Sequence, residues 1–186
     1  MLFGTAFAEL MICWMLWFWV FAVQHKRRTR EKPVVTAPGA KWGILLQGIG
    51  YMLVWTYVGP MGLFKPAPFL IGSMILAPLS TALSWWAVQH LGKQWRIQAA
   101  LSKDHTLVET GPYRWIRHPI YTSMLGMLLA TGLVLTWWPM FAAAVAAYIL
   151  GTEIRVRAED GLLAERFPEG FATYRSSVRA YIPFMR

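Results

Sequence analysis

The chain has 186 residues, of which 56% are hydrophobic and only 15% charged, with 11 tryptophans and a formal net charge of +9. That balance excludes an ordinary soluble domain and describes an integral membrane protein. The single cysteine, Cys13, excludes an internal disulfide and a Cys-based zinc site. Basic residues sit between apolar runs rather than along one polar face, which argues for a topological role and against a nucleic-acid partner.

A helix needs about 20 apolar residues to cross the hydrocarbon core. Leu2 to Val23, broken only by Glu9 and small residues, is the first candidate. Its basic cluster follows the apolar run instead of preceding it, so a retained anchor is expected rather than a cleaved signal. Residues 30 to 41, with Pro33 and Pro38, read as a short irregular connector. Trp42 to Val58 forms a second span, and Phe69 to Val88, tolerating Pro78, a third. Pro119 to Leu150 is too long for one crossing and is expected to break at Thr136 to Pro139, where paired tryptophans suit an interface and proline suits a first helical turn. The expected fold is all-α: one membrane domain over 1–186 with five transmembrane helices. Three of them fall in 1–90, and a helical hairpin with a polar tail falls in 91–186.

Cytoplasmic connections carry the excess of Lys and Arg. Residues 24–41 hold six, residues 59–68 only Lys65, residues 91–118 five, Thr136 to Pro139 none, and the tail after 151 six. High and low alternate as five spans require. The N-terminus is therefore expected outside and the C-terminus in the cytoplasm, in a plasma (inner) membrane.

Both polar segments, 91–118 and 153–184, then share the cytoplasmic side. If the last two spans form a hairpin about Trp137 and Trp138, Arg117 is level with Ala158 and Glu159, roughly 30 Å along the helix from the turn. Pro119 suits the start of a helix whose free N–H groups and partial positive charge favour an anion. Arg117 can grip a carboxylate with two hydrogen bonds, while Glu159 and Asp160 suit an amine or orient Arg117. Such a site suits a zwitterion. The same residues also suit interfacial anchors, with Glu159 merely paired to Arg155 along one helix. His25 and His90 lack partners at metal-ligand spacing, and no metal is expected.

From "LGKQW" through "HTLVETGPYRWIRHPIY" to "EDGLLAERFPEGFATY" and "YIP", the last 95 or so residues resemble the isoprenylcysteine carboxyl methyltransferase family and its relatives among phospholipid methyltransferases. The combination H-x-L-V, G-P-Y, R-H-P-x-Y, two acids, Phe and Tyr carries the resemblance. It implies a membrane enzyme using S-adenosyl-L-methionine. His105, Leu107, Val108, Gly111, Pro112 and Tyr113 would line the cofactor, together with His118 and Tyr121 from the next helix start and Glu159 and Asp160 from the last span. Arg117 would position the acceptor carboxylate, and Glu159 would orient the cofactor or Arg117. Three positions depart from the family pattern: Asp160 stands for a usual Glu, Pro168 for a common Gly, and Phe171 for a frequent Tyr.

The implied reaction is carboxyl O-methylation of an isoprenylcysteine-like or other lipophilic acid, with substrate entering from the bilayer. The enzymatic rival is N-methylation of a phospholipid amine, which needs Glu159 or Asp160 as a base. The non-enzymatic rival is a small transporter or assembly subunit, suggested by Glu9 and Glu153. "GIG" at 48–50 reads as a small-residue helix contact rather than a dinucleotide fingerprint. Leu162 to Tyr181 reads as an amphipathic segment over the cytoplasmic face.

Overall fold

The computed structural model describes residues 1–27, 35–56, 65–101 and 104–181. Within them the chain is mostly helical: α1 (Leu2–Arg27), α2 (Ala40–Trp55), α3 (Ala67–Leu91), α4 (Pro119–Leu135), α5 (Trp138–Arg166) and α6 (Pro168–Ser177). Among the described residues, three helices are long and apolar enough to cross a membrane: Leu2–Lys26, Ala67–Gln94 and Trp138–Arg166. α4, with 17 residues, is apolar but shorter. α2 has 16, and Val58, where the second span was expected to end, lies outside the described residues.

The α4–α5 hairpin breaks where the sequence changes character. α4 ends at Leu135, Thr136 and Trp137 turn the corner, and Pro139 sits in the first turn of α5, where its missing N–H costs nothing. The outer surfaces of the long helices are apolar: Met15, Phe18 and Trp19 on α1, Ile75 and Leu79 on α3, and Ile149 and Leu150 on α5 are all exposed. Lipid tails give apolar side chains no reason to turn inward, so packing relies on small residues and on polar links between helices. Trp14 Nε1 donates to Thr131 Oγ1 at 3.0 Å, Ser84 Oγ to Ser123 Oγ at 2.8 Å, and Tyr51 Oη to the Met124 carbonyl at 2.7 Å.

The tightest packing is between α2 and α5. Buried positions on α2 recur at spacings of three and four: Ala40, Gly43, Gln47, Gly50 and Val54. A Cβ on Gly43 would lie 2.5 Å from the Gly151 carbonyl oxygen and 2.5 Å from Arg155 Cγ. Only glycine permits that backbone approach.

Two expectations about the connections change. Residues 35–36 are not irregular: β1 (Val35–Thr36) pairs antiparallel with β2 (Ala100–Leu101), and residues 28–34 lie outside the described set. The tail is not one amphipathic segment over 162–181. α5 continues to Arg166, the chain bends at Phe167, and α6 begins on Pro168. After α6 the backbone is extended at Val178 and lies beside the start of α4, with Ile116 bridging Arg179 in parallel.

Candidate functional site

α4 and α5 run antiparallel, so the start of one meets the end of the other, and six polar side chains interlock there. His118 Nε2 lies 2.9 Å from Asp160 Oδ1 and its Nδ1 is 3.5 Å from Glu159 Oε2. Arg117 Nη2 pairs with Asp160 Oδ2 at 3.3 Å, and Tyr121 Oη donates to Glu159 Oε1. Arg155, one turn before Glu159, lies 3.8 Å from its carboxylate and 4.9 Å from the centre of the Tyr121 ring. Arg117, His118, Arg155 and Asp160 are buried. Burial pushes the His118 imidazole down, but its hydrogen bonds to Asp160 and Glu159, with their negative charges, outweigh that and hold its pKa above the ordinary value.

Just ahead of α4 the backbone is tied to the C-terminal segment. Arg117 N–H donates to the Arg179 carbonyl at 2.8 Å and His118 N–H to the Ala180 carbonyl at 2.9 Å, while Pro119 has none to offer. Arg117 is likewise committed: besides Asp160, its Nη1 reaches the carbonyls of Arg175 and Val178. Its contact is with Asp160 rather than Glu159.

This cluster forms one wall of a cavity of about 350 Å³. His105, Leu107, Val108, Tyr113, Arg117, His118, Tyr121, Glu159 and Asp160 all line it. Gly111 and Pro112 do not. Gly111 takes a left-handed φ of 60° to start the Gly111–Arg114 turn, and any Cβ there would strike the His90 ring. Pro112 is fully buried behind it. These two shape the turn that presents Tyr113, whose carbonyl accepts a hydrogen bond from Tyr174 Oη at 2.6 Å. Burial, with the nearby Glu159 and Tyr174 charges, drives the Tyr113 phenol far above its usual range, so it stays protonated. His105 is shifted down by burial and by the charges of Arg96 and Arg166, and it is neutral at pH 7.

Of the remaining walls, α1 carried no local signal, whereas Trp95, Phe171 and Tyr174 fall in the stretches that carry the resemblance. Trp17, Phe18 and Phe21 of α1, with Trp95, Ile120 and Met124, make one end apolar, and Phe171 and Tyr174 of α6 close another side. Arg155 was expected only as the helix partner of Glu159, four residues on and on the same face; that pair forms at 3.8 Å, and Arg155 also lines the cavity. Gln94 brackets the loop by bonding Thr106 through both amide atoms, at 3.1 and 2.6 Å. Among the described residues, four buried side-chain nitrogens have no partner: Trp17 Nε1, His105 Nδ1, Arg117 Nε and Arg155 Nε. All four residues line this one cavity. Unpartnered nitrogens concentrated beside one cavity make it the candidate ligand site.

The sequence pattern of the isoprenylcysteine carboxyl methyltransferase (ICMT) family matches residues 72–165, half of the chain. The chain belongs to the ICMT family. The matched stretch holds His105, Arg117, Glu159 and Asp160, but neither the α1 wall nor α6. Similar proteins include the cobalt-zinc-cadmium resistance protein CzcN of Cupriavidus metallidurans, 37% identical over 81 residues, 44% of this chain and 37% of that one. The uncharacterized protein YpbQ of Bacillus subtilis is 28% identical over 102 residues, 54% of this chain and 60% of its own. The protein-S-isoprenylcysteine O-methyltransferase of Saccharomyces cerevisiae is 30% identical over 91 residues, 48% and 37% of the two chains. This ICMT-family chain thus matches less than two thirds of the length of these relatives.

Proposed function

We propose that this protein is an integral membrane methyltransferase that takes S-adenosyl-L-methionine as donor and esterifies the carboxylate of a lipophilic acid. One observation carries the reading: a single cavity joins a buried acid–histidine–arginine cluster to an end walled by Trp17, Phe18 and Phe21. The cavity fits the donor by chemistry. Glu159 and Asp160 offer negative charge to an ammonium, His105 offers an unpartnered nitrogen, and Tyr113, Leu107 and Phe171 offer an apolar and aromatic wall for a base. Bound there, the donor supplies a methyl group on a positively charged sulfur.

The chain's own residues align and shield. His118, held between the two acids, fixes both carboxylates without removing their net charge. Arg117 ties Asp160 to the carbonyls of the C-terminal segment and acts as a positioning residue. Arg155 is assigned to the acceptor: its guanidinium lies over the Tyr121 ring on the cavity wall. A carboxylate is ionised at neutral pH and needs no base. Two buried arginines favour that acceptor over a phospholipid ammonium, whose charge they repel. Alignment and exclusion of water are then the protein's main contributions.

The reading includes five membrane helices, an external N-terminus, and a site facing the cytoplasm at the inner membrane. The alternation of Lys and Arg between connections supports it. The test is methyl transfer by the purified protein in lipid nanodiscs from radiolabelled donor to separate pools of prenylated cysteine and phosphatidylethanolamine. Base-labile label on the acid is expected. Stable label on the amine, or no donor binding by calorimetry, overturns the assignment.

A further inference from the structure

Gln47 lies on α2, outside the family-matched residues and with no motif around it. It is 3% exposed, on the face that carries Gly43 and Gly50 against α5. A buried amide is unfavourable unless both of its ends are bonded. Here both are. Nε2 donates to Thr152 Oγ1 at 2.8 Å, and Oε1 accepts from Arg155 Nη1 at 3.0 Å. Arg155 Nη2 donates to the Ile97 carbonyl at 2.5 Å, so α2 and the cavity-lining segment around Ile97 hold the guanidinium from two sides. Its Nε stays without a partner among the described residues. The Gly43–Gly151 approach makes this possible, since a side chain at 43 would collide with Arg155 Cγ.

We propose that Gln47 is a positioning residue for the methyl acceptor: it orients the Arg155 guanidinium so that the unbonded edge meets the acceptor carboxylate. The inference rests on the reading above that Arg155 takes that carboxylate. A neutral amide orients the arginine without cancelling its charge, whereas a carboxylate at 47 would pair with it and compete with the acceptor. Gln47 itself bonds none of His118, Glu159 and Asp160, and Arg155 reaches that cluster only through its looser 3.8 Å pair with Glu159. The expected signature is therefore a loss of acceptor affinity with donor affinity intact.

The test measures binding of an S-prenylated N-acetylcysteine and of its methyl ester, and separately of S-adenosylhomocysteine, to the full chain in detergent. Wild type prefers the acid. Gln47→Leu lowers acid affinity about tenfold, the scale of one hydrogen bond to a charged group, and leaves the ester unchanged. Gln47→Glu abolishes the preference for acid over ester. Thr152→Val, which frees only the other end of the amide, lowers acid affinity about threefold. S-adenosylhomocysteine binds all three within about twofold of wild type, since no donor contact is lost. Preserved acid preference in Gln47→Leu and Gln47→Glu overturns the proposal, as does a parallel loss of acid, ester and donor-product affinity. Arg155→Met separates the two readings. If it loses the preference while the Gln47 variants keep it, only the positioning role fails; if it too keeps the preference, or wild type shows none, the assignment of Arg155 fails and this inference with it.

Discussion

The two ends of the cavity are built by different rules. The polar end comes from residues 105–121 and 155–160, short segments in which Arg117, His118, Glu159 and Asp160 bond one another directly. The apolar end comes from α1 and the segment after α3, where Trp17, Phe18, Phe21 and Trp95 meet through ring contacts, Trp17 to Phe21 at 4.6 Å and Phe21 to Trp95 at 5.5 Å. Charged groups in a buried site must be matched atom by atom, which fixes residue type and spacing. Apolar walls need only shape, which many sequences supply. The polar end therefore leaves a motif and the apolar end does not.

The largest effect that can break this contrast is at the acids. Glu159→Ala leaves His118 and Tyr121 without a shared acceptor, and Asp160→Ala leaves Arg117 without its carboxylate. Removing one partner of a buried charge pair costs about 3–5 kcal/mol, so each variant should bind S-adenosylhomocysteine at least about 100-fold more weakly by calorimetry. Wild-type affinity in both would show that the cluster is only an anchor for the helix ends.

Next in size is Gly111→Ala. The left-handed backbone disfavours any side chain by about 1–2 kcal/mol, and the new methyl meets the His90 ring. About tenfold weaker donor binding is expected, partly restored by adding His90→Ala. Absence of that restoration would mean that the turn, not the collision, sets the loss.

A smaller effect tests the apolar end. Phe21→Ala should raise the concentration of lipophilic acceptor needed for half-maximal rate about threefold to tenfold and leave donor binding alone. If donor binding falls with it, the two ends are not separable.

The smallest is a pH effect. His118 has its pKa raised in the folded protein, so the stabilisation from its pairs is complete below the ordinary histidine value and is lost as pH rises through the raised one. Thermal stability of the protein should therefore decline on the alkaline side of the ordinary histidine range. His118→Gln, which keeps a hydrogen bond but not the charge, should flatten that decline.

Much of the polar end was legible before any coordinates. Counting outward from Trp137 and Trp138 put Arg117 level with Glu159, and the structure brings Arg117 and His118 against Asp160 and Glu159, because an uninterrupted α5 of 29 residues keeps the register of the hairpin. The breaks at Pro119 and at Thr136–Trp137 were legible for the same reason: proline marks its place by chemistry. Less visible was what the tail does. No spacing rule indicates that the Arg179 and Ala180 carbonyls would take the N–H groups of Arg117 and His118, just ahead of α4, since that pairing joins segments some sixty residues apart. Gly111 was expected to line the cofactor, but it packs against His90 and lies outside the cavity lining. Gln47 sat in an apolar run where one amide looks incidental, and its role emerges only from the packing of α2 against α5.

The parallel bridge at Ile116 and Arg179 has a consequence for biosynthesis. Every other wall of the chamber is translated before Val178, yet the Arg117 side chain gains its Val178 acceptor, and the backbone N–H groups of Arg117 and His118 gain theirs, only when residues 178–180 leave the ribosome. Insertion of the helices and assembly of a working centre are therefore separate events, and a chain stopped after Ser177 would reach the bilayer with its hairpin formed and its chemistry unfinished.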